Sequence, residues 1–276
     1  MKVITVVSDT TGMGFNLLKL SCALNDLHFV ALGYPDDRFT GNRIKDHVLN
    51  EYLCGLSDHE VVLFTDCYDS LMLADEDEIL NKFYASGAEL LFSAESNCWP
   101  DKNLAEHYPE AGSRYRYLNS GGFIGRVGVI RDMLSVKLDD FSGNFQFSNQ
   151  YLWTIRFFQF GKLIRLDTGC NLFCTFSPEI GEDTLQEEDE GSYAVYRRNK
   201  RDWFKENFII KEGRIFNKIS GTWPSNVHFN GKSKCLINSY IIDMIFSKIP
   251  GSQKSVFQFY GESITSLQLA EKCVDG

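Results

Sequence analysis

Val61-Val62-Leu63-Phe64-Thr65-Asp66-Cys67-Tyr68-Asp69 is the stretch on which the reading of this chain turns. Its apolar run has the length of a strand buried on both faces, and it leads directly into two carboxylates, Asp66 and Asp69. Like charges repel, so a pair of acids at a strand end points to a cation between them. Hard oxygen donors suit Mg²⁺ or Mn²⁺, ions that also hold a diphosphate. A plainer reading stays open from these residues alone, in which Asp69 caps the turn that follows.

Outward from this strand, further short apolar runs lie at residues 3–7, 29–32 and 90–92, and amphipathic stretches at 15–24, 44–53 and 76–83 fall between them. Strand and helix signals in alternation predict an α/β fold, a mostly parallel central sheet flanked by helices, with functional residues at the carboxyl ends of the strands. In the second half, residues 149–160 carry the spacing of a helix, 193–196 and 208–216 read as short β pieces, and 227–229 as a last core strand. The acidic run 179–190 reads as a solvated loop. We expect a single domain over 1–276, with a nucleotide-binding half at 1–125 and an acceptor-side half at 126–276.

The 276 residues carry a net charge of -9, which argues against a nucleic-acid partner, because phosphate binding needs clustered Lys and Arg. No apolar stretch approaches the ~18 residues needed to span a membrane. The first apolar run is too short for a signal peptide, so a cytoplasmic address is the expectation. The eight cysteines are widely spaced, only Cys170 and Cys174 lie close together, and no zinc pattern appears; free, mostly buried thiols are expected, with a disulfide or two as the alternative in an oxidising lumen.

Three more segments carry candidate chemistry. Gly12-Met13-Gly14 follows the first strand but lacks the third glycine of a dinucleotide fingerprint, so only the fold places it at a nucleotide site. Asn119-Ser120-Gly121-Gly122-Phe123-Ile124-Gly125 has paired glycines that admit a ligand or another part of the chain, or else simply turn into a strand. In His228-Phe229-Asn230-Gly231-Lys232-Ser233-Lys234, His228 and Asn230 share one face of an extended segment. There His228 either completes a metal site with the two carboxylates or, as a lone histidine more often does, plays a structural part, and Lys232 or Lys234 is a candidate to neutralise a phosphate.

The segments Phe92-Ser93-Ala94-Glu95-Ser96-Asn97-Cys98-Trp99-Pro100, Leu104-Ala105-Glu106-His107-Tyr108-Pro109-Glu110 and Tyr117-Leu118-Asn119-Ser120-Gly121-Gly122-Phe123-Ile124-Gly125 closely resemble the glycosyltransferase domain of procollagen lysyl hydroxylases. The order of Asp66, Tyr68 and Asp69 upstream and of His228, Asn230 and Gly231 downstream is similar too, and the likeness runs over roughly residues 3 to 240. It implies a GT-A type fold, bound Mn²⁺ (with Mg²⁺ as the alternative), a UDP-glucose or UDP-galactose donor and a collagen-like acceptor. It implies Asp66, Asp69 and His228 as metal ligands, Tyr68 stacked on uracil, and Val6 and Ser8 bordering the nucleotide. Asn230, Gly231 and Lys234 would hold the diphosphate, Trp99 would lie on a loop over the sugar, and Glu95 and Asn119 would face sugar or acceptor. The family adds glucose with retention of anomeric configuration and resides in the endoplasmic reticulum lumen; a homodimer is compatible with it.

Two departures stand out. Where the family has aspartates before a Gln at a helix start, this chain has Ser148 and Asn149 before Gln150. Asn149 hydrogen-bonds a hydroxyl but is no carboxylate base. Over residues 38–50 a family aromatic is missing and Arg43, Lys45 and Asp46 stand instead. Two rivals follow: a module that binds UDP-sugar or collagen without turnover, and a Mg²⁺-dependent phosphohydrolase. The second ordinarily has its two aspartates two positions apart rather than three.

Overall fold

A computed structural model describes residues 1–34, 41–138, 145–176, 190–237 and 241–248, with two short strand pieces beyond them. The acidic run, through residue 189, and residues 38–40 lie outside the described residues.

The chain runs β1 (Lys2–Val7), α1 (Met13–Leu24), β2 (His28–Gly33), α2 (Ile44–Leu53), β3 (Val61–Thr65), β4 (Ser70–Met72), α3 (Glu76–Ser86), β5 (Leu90–Glu95), β6 (Tyr117–Arg126), α4 (Val127–Ser135), α5 (Asn149–Gln159), β7 (Ile164–Asp167), β8 (Phe173–Thr175), α6 (Glu190–Asn207), β9 (Phe208–Lys211), β10 (Arg214–Asn217), β11 (Asn226–His228) and α7 (Ile242–Ser247). Six strands form the central sheet in the order β2-β1-β3-β6-β5-β7. Pairs β1–β2, β1–β3 and β5–β7 are parallel, while β6 runs against both neighbours. A second sheet, β4-β11-β8, stands apart from it.

Successive side chains of a strand face opposite sides of its sheet. Accordingly Ile4, Val6, Val62 and Phe64 pack toward Leu49 of α2, Ile130 of α4 and Trp153 of α5. Val3, Val61 and Leu63 pack on the other side with Leu18 of α1 and Ile79 and Phe83 of α3. β3 and β5 are buried along their whole length, their apolar runs at 61–64 and 90–92 covered on both faces and β5 closing on the buried Glu95. β2 differs: it is the sheet edge, and its residues are half-buried or exposed rather than covered on both faces. A third cluster, with Phe176, Phe204, Phe208 and Phe229, fills the space between the second sheet, α6 and α7.

One expectation needs correction. Tyr193–Tyr196 is part of helix α6, because Tyr196, Lys200 and Phe204, spaced four apart, all point into the core. The core strand expected at 227–229 is present as the buried β11, in the second sheet. Residues 208–216 form the hairpin β9–β10, turned by Glu212 and Gly213, both with positive φ. The seven described cysteines are free thiols, five of them buried. Among the described residues no helix is long and apolar enough to cross a membrane.

Candidate active site

The site begins where β3 ends. After Thr65 the chain does not enter a helix; it turns through Asp66–Asp69 into β4. Asp69 therefore caps nothing, and the helix that follows, α3, is capped by Asp75, whose carboxylate accepts the Glu78 N–H at 2.9 Å. The turn is fastened on two sides. The Asp66 N–H donates to the Gly121 carbonyl of β6 (2.8 Å) and the Phe229 N–H after β11 donates to the Asp69 carbonyl (2.7 Å). These bonds bring His228 from near the chain's end to the two acids.

Ligand atoms of Asp66, Asp69 and His228 all lie within 4.8 Å of one another, and this is a group among the described residues able to hold a metal ion. His228 Nε2 is 3.2 Å from Asp69 Oδ1 and 3.7 Å from Asp66 Oδ2. The imidazole's other nitrogen fixes its tautomer. Asn119 gives its Nδ2 to Glu95 Oε1 at 3.0 Å and accepts the Gly121 N–H on Oδ1, also at 3.0 Å. Its Oδ1 therefore accepts from His228 Nδ1, 3.1 Å away, which leaves Nε2 facing the carboxylates. Two carboxylates with one imidazole suit Mn²⁺ or Mg²⁺, so the residues present fit the expected ion.

Electrostatics fit the same picture. Burial alone pushes the Asp69 carboxyl up, but His228, Lys234 and Lys45 outweigh it and hold it at about 2. Burial pulls His228 down, while the charge and hydrogen bond of Asp69, with Asp66 behind, carry it above its usual value.

Gly121 explains the glycine pair. A Cβ built there would lie 2.2 Å from His228 Cε1 and 2.6 Å from Nδ1, so the imidazole occupies the space a side chain would take. Gly14 plays the matching part in α1: a Cβ there would lie 1.9 Å from the Tyr68 carbonyl oxygen. The Gly12-Met13-Gly14 turn thus lets α1 close against the metal-site loop.

Two clefts meet at the acids. The first, about 340 Å³, is lined by Glu95, Trp99, Asn119, Asn149, Gln150, His228, Asn230 and Gly231. The second, about 510 Å³, is lined by Val6, Ser8, Tyr68 and Lys234. Asp66 and Asp69 border both. The residues expected to hold the ion, the nucleotide and the sugar thus line one cleft or both, whereas Lys232, the alternative phosphate partner, lines neither. In the second cleft the Tyr68 hydroxyl accepts the N–H groups of Ser8 (3.2 Å) and Asp9 (2.9 Å), which pins a ring still 38% exposed.

In the first cleft Glu95 is a hub. Its carboxylate accepts from Asn119, from Gln150 Nε2 (2.7 Å) and from Asn230 Nδ2 (3.0 Å). Gln150 also donates to the Trp99 carbonyl (3.1 Å) and accepts the Ser120 N–H (3.2 Å), so it braces the Trp99 loop against α5. Ser148 caps α5, and its hydroxyl accepts the Tyr151 N–H at 3.3 Å. Asn149 donates to Asp46 Oδ1 (3.4 Å), which also accepts from Trp153 Nε1 (3.1 Å).

Residues that sequence reasoning left without a role also line the clefts: Asn42, Asn97, Ser120 and above all Lys45, whose Nζ is 2.6 Å from Asp66 Oδ1. Nothing local marks Lys45; only the packing of α2 against β1 and β2 brings it there.

A family model described as the PLOD GT domain matches residues 1–247. The chain belongs to the PLOD glycosyltransferase-domain family. Its fold, a mostly parallel central sheet flanked by helices, is of the α/β class expected from the sequence. Procollagen-lysine,2-oxoglutarate 5-dioxygenase of Drosophila melanogaster is 30% identical over 250 residues, 87% of this chain and 32% of that protein. The human multifunctional procollagen lysine hydroxylase and glycosyltransferase LH3 is 34% identical over 185 residues, 64% of this chain and 21% of that protein. An uncharacterised protein of Acanthamoeba polyphaga mimivirus is 27% identical over 248 residues, 86% of this chain and 48% of that protein. The chain thus spans less than half the length of these relatives. Among solved structures, a glycosyltransferase involved in glycosylation of the PBCV-1 major capsid aligns over 90% of this chain and 97% of its own, at 10% identity and a TM-score of 0.44.

Proposed function

We propose that this PLOD-family glycosyltransferase domain moves glucose, or galactose, from a UDP-sugar to galactosyl-hydroxylysine or hydroxylysine of a collagen-like protein, with Mn²⁺ as its ion. The observation that carries the reading is the convergence of Asp66, Asp69 and His228 where a cleft rimmed by an aromatic ring meets one lined by amides and a carboxylate.

In this reading the pinned Tyr68 ring stacks on uracil beside Val6 and Ser8. Bound Mn²⁺ supplies a Lewis acid that offsets charge on the departing diphosphate. Asp66, Asp69 and His228 hold it, and Lys234, 3.3 Å from Asp69 Oδ2, adds positive charge on the same side. Asn230 and Gly231 border the sugar end of the diphosphate. Glu95 holds Asn119, Gln150 and Asn230 in fixed orientations, so the polar lining is set before the sugar arrives. Trp99, 44% exposed, covers the sugar and excludes water. With retention, the acceptor hydroxyl attacks from the face the diphosphate leaves, and a leaving phosphate oxygen takes its proton; Asn149 orients the acceptor without acting as a base. The family's lumenal home is part of the same proposal.

One observation favours a second reading, binding without turnover. Neither Ser148 nor Asn149 is a carboxylate, and both are engaged, one as a helix cap and one with Asp46. Measuring UDP release from UDP-glucose and UDP-galactose, with and without a galactosyl-hydroxylysine peptide, decides between them. Acceptor-dependent release that vanishes with EDTA supports the transferase; tight UDP and Mn²⁺ binding without release supports the second reading. Release that is unaffected by Asp69→Ala sinks the metal assignment.

A further inference from the structure

We propose that Lys45 is a second phosphate-contacting cation of this site, acting with Lys234 on the diphosphate of the nucleotide; the inference rests on the UDP-sugar reading above. A diphosphate joins nucleoside to sugar, so it has to lie where the nucleoside cleft and the sugar cleft meet. Lys45 lines both clefts, and apart from Asn42 the other residues bordering both are Asp66 and Asp69, two anions. An anionic ligand does not approach two carboxylates unless cations offset them.

The carboxylate oxygens divide in a regular way. Asp66 turns Oδ2 toward His228 Nε2 (3.7 Å) and Oδ1 toward Lys45 Nζ (2.6 Å). Asp69 turns Oδ1 toward His228 Nε2 (3.2 Å) and Oδ2 toward Lys234 Nζ (3.3 Å). Each acid thus gives one oxygen to the metal site and the other to a lysine. A divalent ion balances the two carboxylates and nothing more. The charge that grows on a leaving diphosphate is then met by the two ammonium groups. An ammonium has three protons, so Lys45 keeps its bond to Asp66 and still has donors for a phosphate oxygen. Lys45 sits in the first turn of α2, whose Leu49 and Leu53 are locked into the core, which fixes the root of the side chain. Its side chain is 24% exposed, enough to reach into the clefts.

The rival is that Lys45 merely neutralises Asp66. Calorimetric titration of the full chain with UDP and with uridine, each with and without Mn²⁺, separates the two. Under the proposal Lys45→Met weakens UDP about tenfold or more, the effect of losing a charge-assisted contact, while uridine affinity stays within about twofold. Lys45→Arg recovers most of the loss, because it restores the cation. Lys45→Gln, which keeps polarity without charge, should behave as Lys45→Met and serves if that variant folds poorly. UDP affinity unchanged in both neutral variants overturns the proposal, as does an equal loss for UDP and uridine, which would mark a structural role. Wild-type chain that binds neither ligand overturns the UDP-sugar reading itself, an outcome distinct from a failed variant comparison.

Discussion

Replacing Gly121 by Ala tests the metal site through a residue that would never touch the ion. The added Cβ would lie 2.2 Å from His228 Cε1, 2.6 Å from Nδ1 and 3.0 Å from Asn119 Oδ1. To regain ordinary van der Waals distance, the imidazole has to retreat by about 1 Å. Retreat is opposed by the buried surroundings of His228 and by the Phe229 N–H bond to the Asp69 carbonyl. Overpacking of this kind costs about 1–3 kcal/mol. Metal–ligand bonds tolerate only about 0.2 Å, so a shift of that size takes Nε2 out of the ligand set. Loss of an orienting partner alone costs ~10–100-fold in metal affinity, and displacing the ligand should reach at least that. Mn²⁺ titration followed by electron paramagnetic resonance gives the affinity, and a thermal melt gives the stability. Gly112→Ala is the control, since nothing lies within 4 Å of a Cβ there. A Gly121→Ala chain that binds Mn²⁺ as tightly as wild type would refute the placement of His228 against β6.

Other outcomes follow from the same geometry. Mn²⁺ binding displaces the proton that Asp69 and Asp66 stabilise on His228, so affinity should fall as pH drops through the raised His228 value, and His228→Ala should flatten that dependence in a pH series of titrations. Glu95→Gln puts an amide N–H among the donors of Asn119, Gln150 and Asn230; we expect a loss of roughly 1–3 kcal/mol in denaturant melts and at least a tenfold fall in turnover, and unchanged values for both would remove Glu95 from the hub. Away from the site, Arg214 and Lys82 overcome burial and hold the Glu78 carboxyl at about 2, below its ordinary 4.5. A depressed carboxyl stabilises the fold above the unfolded value and stops doing so as pH falls toward the folded one, so Glu78→Gln should reduce the acid-side loss of stability while leaving Mn²⁺ binding intact.

What could be seen in the sequence and what could not divides along a physical line. The run into Asp66 and Asp69 is local, since a buried strand and two acids are adjacent in the chain and their chemistry is readable there. β3 and the first half of β5 were legible for the same reason, as strand segments covered on both faces are apolar. The edge strand β2 has a similar apolar run but is exposed on the outside, because only strand order decides which run lies at an edge. The strands of the second sheet have three residues each, too few for periodicity to show. Tyr193–Tyr196 misled because aromatic and β-branched residues favour strands, whereas the four-residue spacing through Phe204 is what the core selected.

The paired glycines show most clearly why the rest was hidden. Gly121 and Gly122 are equally compatible with a turn, a ligand or a neighbouring chain segment until one knows what lies across from them. His228 does lie across from Gly121, more than a hundred residues later, and Asn119 two positions earlier bonds the same imidazole. One strand therefore supplies both the space for the metal-site histidine and the amide that selects its tautomer. The residues that hold the ion announce themselves by type, but those that make room for it, orient it or balance its charge (Gly121, Asn119, Lys45) acquire their meaning only when β6, β11 and α2 are packed around the end of β3. A substitution in that second group should therefore alter metal or nucleotide affinity more than it alters the fold, which is the pattern the Gly121→Ala and Lys45→Met measurements are built to detect.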